Sequence, residues 1–303
     1  MRTFLLIAIP LGHLLIFWLI TASILFFVNK KKKTPKWLSV AIAIPVTIIY
    51  MSVALFLGTH MYKTSYSVQT SKDVAPLRIA LISDSHLGAC FDGEGFADRI
   101  EEIEKQQVDM LVITGDLVDG KTKKEDMITS CEALGKIKTT YGVYYVTGNH
   151  DIGDIDKMDF GFDELVAELE KNGVHVLLDE VAEVGDDFYI VGRIDRSMDR
   201  KPISELTEPL DKSKYIIVLD HQPNDYDAER EAGCDLVLSG HTHGGQMIPV
   251  RQMTDILRAY DSTYGKKKEG DTTFIVTSGI GGLLVPYKTG TICEYCIIDI
   301  EKE

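Results

Sequence analysis

Residues 78–86 read RIALISDSH, a continuous apolar run that stops at a cluster of polar side chains. An apolar run of this length is typical of a strand that is buried on both faces. The same transition recurs in DMLVITGDLVD (109–119), VYYVTGNHD (143–151), YIIVLDHQP (215–223) and DLVLSGHTHGGQ (235–246). Helical spacing at 94–107 and 124–138 places helices between the first three strands, which predicts strand–helix–strand units and a parallel sheet.

The remaining segments extend this pattern to a layered fold. Helices are expected at 162–172 and 224–232, and strands near 174–178, 187–192, 272–278 and 291–300. Because several later strands follow one another without a helix, we expect a second sheet and hence an α/β sandwich. The lysines at 266–268 are expected in a solvated loop.

Each of the five apolar runs ends in a polar motif. The motifs are SDSH (83–86), GDLVD (115–119), GNHD (148–151), DHQP (220–223) and GHTHGGQ (240–246). Ligand sites of open α/β sheets form at the carboxyl ends of strands, so we expect the motifs to converge on one crevice. Carboxylates, imidazoles and one amide, without a thiolate, suit Mn²⁺, Fe or Zn²⁺. Two such ions about 3.5–4 Å apart would need a bridging carboxylate.

In this order, DxH, GDxxD, GNHD, H and GHTH resemble the motifs of the calcineurin-like metallophosphoesterases. The GHTHGGQ ending is similar to that of the membrane-associated bacterial branch of that superfamily. The resemblance covers residues 78 to about 300. It implies a four-layer α/β/β/α sandwich, two divalent metal ions (Mn, Fe or Zn), and phosphoester hydrolysis by a metal-bridging hydroxide.

Transferred residue by residue, the resemblance also implies a set of ligands for each metal ion. The ligands are Asp84, His86 and His243 for one ion, Asn149, His221 and His241 for the other, and Asp116 as the bridge between them.

The resemblance further implies which residues act on the substrate. His150 would contact the scissile phosphate, and Asp119 would orient His150 and favour its charged form. Membrane-associated members often carry an arginine near the last strands. The corresponding stretch of this chain, SGIGGLLVPYKTG (278–290), has Lys288 as its only cation. Arg196, together with the other arginines of the loop at 193–200, is the alternative contact for the substrate phosphate, although this loop is equally compatible with an exposed turn.

Residues 1–60 are expected to form a transmembrane hairpin. Two uncharged stretches, 4–28 and 38–58, are each long enough to span a hydrocarbon core of about 30 Å as a helix. A cleavable signal peptide is the alternative for the first stretch, but its apolar region would be about 7–15 residues long and would follow the basic residues. We expect 61–77 to be a linker and 78–303 to be the phosphoesterase domain.

Charge predicts the orientation of this hairpin and argues against one class of partner. Residues 29–37 hold five lysines, which favours a cytoplasmic loop, an extracytoplasmic catalytic domain and a multi-pass protein of the cell membrane. The net charge is −14, and residues 1–60 contain six basic and no acidic side chains, so the remainder carries −20. Affinity for nucleic acid is therefore not expected.

The five cysteines predict no metal site. Cys293 and Cys296 form a CxxC pattern within a predicted strand, where residues three apart point to opposite faces. We therefore expect them to be small core residues.

These observations predict a membrane-anchored, dinuclear-metal phosphohydrolase that cleaves phosphodiester or pyrophosphate bonds. Its partners would be a small-molecule or lipid-linked phosphoester and the lipid bilayer. One alternative is a protein or nucleotide phosphomonoesterase, although Gly120 follows Asp119 where protein phosphatases of the family have an arginine. The other is a catalytically silent binding scaffold, although none of the implied ligands is lost.

Overall fold

The computed structural model of the protein describes residues 2–28 and 34–303. The helices are α1 (Arg2–Val28), α2 (Leu38–Thr59), α3 (Gly93–Glu104), α4 (Lys124–Lys136), α5 (Asn149–Gly153), α6 (Phe162–Lys171), α7 (Ile203–Thr207), α8 (Tyr226–Glu231) and α9 (Val250–Leu257). The strands are β1 (Met61–Thr70), β2 (Leu77–Ile82), β3 (Met110–Thr114), β4 (Val143–Val146), β5 (Val174–Val176), β6 (Glu180–Val184), β7 (Phe188–Gly192), β8 (Tyr215–Leu219), β9 (Leu236–Ser239), β10 (Gly265–Glu269), β11 (Thr272–Val276) and β12 (Cys293–Lys302).

Within the described residues the strands form two six-stranded sheets. Their orders are β1-β12-β2-β3-β4-β5 and β10-β11-β9-β8-β7-β6. Strands β2 to β5 run parallel in the first sheet, and β7, β8, β9 and β11 run parallel in the second. Each run of parallel strands therefore ends at one edge of its sheet, which is where the polar motifs begin.

Successive side chains along each strand point to opposite faces of the sheet and therefore pack against different layers. Leu81 of β2 and Leu219 of β8 lie in the core between the two sheets. Ile82, the next residue of β2, packs on the opposite face among residues of α3, α4 and α6. The outer face of the second sheet is covered by α7 and α8. The predicted four-layer α/β/β/α sandwich is confirmed, and the central strands β3, β4, β7, β8, β9 and β11 are buried on both faces.

Two predictions fail at the edges of the sheets. The linker expected at 61–77 is wrong for Met61–Thr70, because these residues form β1 and pair in parallel with β12. The loop expected around 266–268 is instead β10, which pairs antiparallel with β11. Both are edge strands with an exposed polar or charged side, a composition that protects an edge from aggregation and hides a strand from hydrophobic patterns.

Helices α1 and α2 form the expected hairpin. Thr21 Oγ1 of α1 donates a hydrogen bond to the carbonyl of Ser39 in α2 at 3.2 Å, and the His13 ring lies 5.0 Å from that of Tyr50. Both helices are long and apolar enough to cross a membrane. Of the lysine-rich loop at 29–37, residues 29–33 lie outside the described residues.

The carboxyl end of α2 is attached directly to the sandwich. The amide of Lys288 donates to the carbonyl of Ala54 at 3.0 Å, and Cys293 Sγ contacts the carbonyl of Gly58 at 3.1 Å. Only His60 separates α2 from β1. The hairpin is therefore held against the segment that joins β11 to β12, without a flexible spacer.

The cysteines behave as predicted. All five are unpaired, and all except the partly exposed Cys90 are buried. Cys296 lies in the core between the sheets, whereas Cys293, three residues earlier, contacts α2.

Candidate metal centre

The five motifs meet at the carboxyl ends of the parallel strands. Their side chains form three groups, and the candidate ligand atoms of each group lie within 4.8 Å of one another. The groups are Asp84, His86 and His243; His86, Asp116 and His150; and Asp116, His221 and His241. The first and third contain the ligands expected for the two metal ions, apart from Asn149. Asp116, the expected bridge, belongs to two groups.

The backbone carries unusual torsion angles at these residues. Five of the seven expected ligands have positive φ: 54° at Asp84, 43° at His86, 52° at Asp116, 69° at His241 and 50° at His243. For residues other than glycine this region is sparsely populated, and such residues cluster at functional sites. At the strand ends, the backbone of the residues expected to bind metal thus adopts torsion angles that are typical of functional sites.

Two glycines allow the motifs to approach one another closely. A Cβ atom at Gly148 would collide with the carboxylate of Asp116, and one at Gly240 would collide with Ser83 and the carboxylate of Asp84. These are the glycines of GNHD and GHTHGGQ. Their role is therefore to let two loops pass against the acidic residues of the site.

The first group is arranged around Nε2 of His243. This atom lies 3.5 Å from Oδ1 of Asp84 and 3.1 Å from Nε2 of His86. Burial lowers the pKa of His86 to about 4 and the pKa of His243 well below its ordinary value. Both imidazoles are therefore neutral at pH 7, which is the form that binds a metal ion.

The second group is arranged around Nε2 of His221. Nδ1 of His221 lies 2.6 Å from the carbonyl of Thr114, a bond in which the ring donates, and Nε2 faces the carboxylate of Asp116. Nε2 lies 3.2 Å from Nδ1 of His241. Burial lowers the pKa of His241 to about 4. Among the described residues, the buried Oδ1 of Asn149 has no hydrogen-bond partner, as expected for a ligand atom turned towards a metal site.

Asp116 joins the two groups through one carboxylate oxygen. Its Oδ2 lies 3.2 Å from Nε2 of His221 and 3.7 Å from Nε2 of His86. Burial by itself would raise the pKa of Asp116, but the charge and hydrogen bond of His221 outweigh burial and hold the pKa well below its ordinary value. The carboxylate thus stays ionised between the two groups and favours positive charge on both sides.

His150 lies at the open side of the site. Its side chain is 30% exposed, and its backbone amide donates to Oδ1 of Asp116 at 2.8 Å. Its Nδ1 lies 2.7 Å from Oδ2 of Asp154. The sequence predicted that Asp119 would orient this ring, and that prediction is wrong, because the carboxylate in contact with the ring belongs to Asp154. Asp119 does favour the charged form, since its charge helps Asp116 and Asp154 to outweigh burial and raise the pKa of His150. His150 lies in the short helix α5, so the residue one turn later faces its ring.

Asp119 faces a different histidine. Its Oδ2 lies 3.7 Å from Nδ1 of His86, on the side of the ring opposite to the ligand atom Nε2. A carboxylate behind a histidine ligand commonly fixes the orientation of the ring.

Comparison with known proteins agrees with this geometry. The family model of calcineurin-like phosphoesterases matches residues 77–245, more than half of the chain. The chain belongs to this family. An uncharacterized metallophosphoesterase of Helicobacter pylori is 31% identical over 221 residues, which cover 70% of this chain and 56% of that protein. One of Aquifex aeolicus is 30% identical and covers 76% of this chain and 91% of its own length.

A third relative has a name that mentions a membrane. This Danio rerio protein, named "Transmembrane protein with metallophosphoesterase domain", is 28% identical over 75% of this chain and 53% of its own length. The chain thus spans little more than half the length of the Helicobacter and Danio relatives.

As a member of a family of metal-dependent phosphoesterases, the chain has the donor set that the chemistry requires. The candidate ligands are four imidazoles, two carboxylates and one amide, a mixture that suits divalent ions of borderline softness. The orphaned Oδ1 of Asn149 and the neutral state of His86, His241 and His243 fit bound metal ions. Burial alone would lower the pKa of His221, but Asp116 outweighs burial and raises this pKa well above its ordinary value, so this ring would have to release a proton to bind a metal ion.

Two residues that support this calcineurin-like site were not assigned from the sequence. Asp151 accepts hydrogen bonds from the amides of Asp116, Val118 and Gly148 at 2.7–2.9 Å, and so ties the GDLVD motif to the GNHD motif. The hydroxyl of Tyr260 lies 3.3 Å from Nε2 of His241. Asp151 is the last residue of GNHD and could have been assigned from that motif, whereas nothing in the local sequence singles out Tyr260.

The expected contact between Lys288 and the substrate phosphate is wrong. Lys288 is fully buried, and its Nζ donates to the carbonyls of Ser278 (2.6 Å), Ile292 (3.0 Å) and Gly279 (3.3 Å). Because the segment between β11 and β12 turns sharply, its carbonyls point inwards, and the ammonium group satisfies them. Lys288 is therefore a structural residue.

The arginines of the loop at 193–200 differ in their surroundings. Arg193 and Arg200 donate to opposite oxygens of Asp220 at 2.8 and 2.9 Å. Asp220 directly precedes His221, so these two arginines help to fix the position of a candidate metal ligand. Arg196 is exposed and remains the arginine of this loop that is open to a substrate.

A cavity lies beside the metal centre. It has a volume of about 560 Å³ and is lined by Tyr260, Arg251, Arg258, Lys267 and further polar residues of 255–264. Tyr260 connects it to His241. Three of the lining side chains are basic, Arg251, Arg258 and Lys267, and two are acidic, Asp255 and Asp261, so the cavity is weakly basic.

Proposed function

We propose that this chain is a membrane-anchored phosphohydrolase with two divalent metal ions, which cleaves phosphodiester or pyrophosphate bonds. The observation that carries the proposal is the position of Asp116, whose Oδ2 lies 3.2 Å from Nε2 of His221 and 3.7 Å from Nε2 of His86. A carboxylate shared by two histidine groups is the arrangement that holds a pair of metal ions. When bound, Mn, Fe or Zn ions would polarise the phosphoryl group and acidify water.

In this proposal the protein side chains position the substrate and move a proton. His150 donates a hydrogen bond to a non-bridging phosphate oxygen or protonates the leaving group, since its exposed ring lies next to the metal groups. Asp154 holds the Nδ1 proton of that ring. Asp116, Asp154 and Asp119 outweigh the effect of burial and raise the pKa of His150, so the imidazolium that donates a proton is favoured.

Two features favour a substrate with a group beyond the scissile phosphate. The basic cavity beside Tyr260 can take a second anionic group, as a pyrophosphate or a phosphodiester headgroup would supply. The hairpin brings the site close to lipid headgroups, which supports a lipid-linked substrate. Arg196 is proposed as a further contact for phosphate, since Arg193 and Arg200 are engaged with Asp220.

The full chain in detergent, assayed with bis-p-nitrophenyl phosphate and p-nitrophenyl phosphate in Mn²⁺, Zn²⁺ and Fe²⁺, tests this proposal. Faster turnover of the diester is the expected result. A preference for the monoester would favour a nucleotide or protein phosphatase. Absence of turnover with every metal would favour a silent scaffold.

The membrane anchor is proposed to cross the bilayer twice, with the catalytic domain on the extracytoplasmic side. Support comes from the lengths of α1 and α2, from the lysines at 29–37 and from the name of the Danio rerio relative. Protease added to intact cells or spheroplasts should degrade the catalytic domain. Survival of the domain until the membrane is permeabilised would reverse the orientation.

A further inference from the structure

Helix α9, at Val250–Leu257, has its polar and apolar sides reversed relative to an ordinary surface helix. Met253, Ile256 and Leu257 are 53%, 80% and 72% exposed. None of the residues of α9 is buried by the described part of the chain. A surface helix of a globular protein normally turns its apolar stripe towards the core.

The polar residues of α9 face the protein instead. Thr254 Oγ1 lies 3.1 Å from Thr263 Oγ1, and Thr263 Oγ1 donates to Oδ1 of Asp255 at 2.6 Å. Arg251 lies over the ring of Tyr264, 5.1 Å from its centroid. These contacts line the basic cavity and fix the rotation of the helix, so the apolar side cannot turn inwards without breaking them.

The outward residues form one continuous stripe. Val250, Met253, Ile256 and Leu257 are spaced i, i+3, i+6 and i+7, and exposed Ile248 extends the stripe before the helix begins. Five large apolar side chains on one exposed face exceed the scattered apolar residues that are normal on a soluble surface. The face therefore requires an apolar partner.

The position of α9 in the fold identifies that partner as the bilayer. The amide of Ile248 donates to Oγ1 of Thr289 at 3.0 Å, and the amide of the preceding residue, Lys288, donates to the carbonyl of Ala54 within α2. Ala54 lies more than one helical turn before the end of α2 at Thr59. The segment just before α9 thus contacts Thr289, and its neighbour Lys288 contacts α2. Helix α2 is long and apolar enough to span a membrane.

The charges beside the stripe fit a membrane surface. Arg251 and Arg258 lie at the two ends of α9, between the apolar stripe and the cavity. An amphipathic helix with basic residues beside an apolar face binds at the level of lipid headgroups.

We propose that α9 is an interfacial helix, which inserts Ile248, Val250, Met253, Ile256 and Leu257 into the bilayer beside the hairpin. Because α9 directly follows the GHTHGGQ motif and lines the cavity next to His241, this insertion holds the cavity at the membrane surface. The proposal rests on membrane insertion of the hairpin, but it does not depend on which phosphoester is cleaved.

The test uses the full chain in nanodiscs of phosphatidylcholine and phosphatidylglycerol, with and without a 5-doxyl phosphatidylcholine quencher. A nitrobenzoxadiazole label on Met253→Cys reports on α9, in a Cys90→Ser background because the other native cysteines are buried. The control label is on Lys138→Cys, an exposed residue of the loop before β4. The two native tryptophans, Trp18 and Trp37, report independently on the hairpin.

The expected result is roughly twofold quenching of the label at residue 253 by the doxyl lipid, as for a side chain below the headgroups, with little quenching at residue 138. Ile256→Gln/Leu257→Gln should reduce the quenching at residue 253 and leave turnover of a soluble diester unchanged.

Three other outcomes would overturn the proposal. Quenched tryptophans with no more quenching at 253 than at 138 would mean that the hairpin inserts and α9 does not. A blue-shifted but unquenched label at 253 would mean that protein, such as a second copy of the chain, covers α9. Unquenched tryptophans would mean that the hairpin does not insert into the bilayer, and the proposal for α9 would fail with it.

Discussion

Nδ1 of His150 lies 2.7 Å from Oδ2 of Asp154, four residues later. The pairing leaves Nε2 of His150 as the ring atom available to a substrate. Asp154 is itself held by the amide of Gly120 at 3.3 Å, so the pair is anchored to the residue that directly follows the GDLVD motif. His150 is therefore oriented by a residue outside the five polar motifs.

His150→Ala should lower turnover about 10²–10⁴-fold, the usual contribution of a positioned group that transfers a proton. Metal content should not change, because His150 is proposed to act on the substrate. The measurements are turnover of bis-p-nitrophenyl phosphate and elemental analysis. His175→Ala, at an exposed histidine in β5, is the matched control and should retain activity. Loss of a metal ion from the His150 variant would make it a ligand instead.

Asp154→Asn should lower turnover less than His150→Ala does, because the ring remains but loses its orientation. The effects of the two substitutions should not add, since Asp154 acts through His150. A double-mutant cycle on turnover measures this coupling, with Asp119→Asn as the comparison. If instead the effect of Asp119→Asn on turnover disappears in the His150→Ala background and that of Asp154→Asn remains, then Asp119 is the residue that orients His150, as the sequence predicted.

Lys288→Met should destabilise the protein without weakening substrate binding. The carbonyls of Gly279 and Ile292 keep the amide of Glu294 and the hydroxyl of Ser278 as donors. The main loss is therefore the donor to the carbonyl of Ser278, at a cost of about 1–3 kcal/mol for an unsatisfied buried group. Thermal unfolding in detergent and KM for the diester are the two measurements. Lys268→Met, on the exposed side of β10, is the control. A raised KM with unchanged stability would restore Lys288 as a contact of the substrate.

The sequence predicted the central strands and the convergence of the five polar motifs well because both depend on local pattern. Runs such as 78–83 and 109–114 are buried on both faces, so their composition alone identifies them. The motifs follow these runs directly, and parallel strands bring their carboxyl ends together whatever the details of packing. The grouping of Asp84 with His86 and His243 was implied by the resemblance to the calcineurin-like family and not by the local pattern.

What the sequence could not predict depends on contacts between distant segments. Strand β1 is polar, and it is a strand only because β12, more than 200 residues later, pairs with it. Lys288 looks like a free cation until the inward carbonyls of its own segment are known. Helix α9 has an apolar stripe, but only its contacts with Thr263 and Tyr264 establish that the stripe faces outwards.

The metal content of the full chain and of Asp116→Asn, determined by elemental analysis on folded protein, tests the central claim most directly. The wild-type chain should bind two divalent ions. The variant should bind at most one and lose its activity, because a neutral amide bridges two cations poorly. Two equivalents of metal in folded Asp116→Asn, or full activity of the wild-type chain with one, would contradict the dinuclear site.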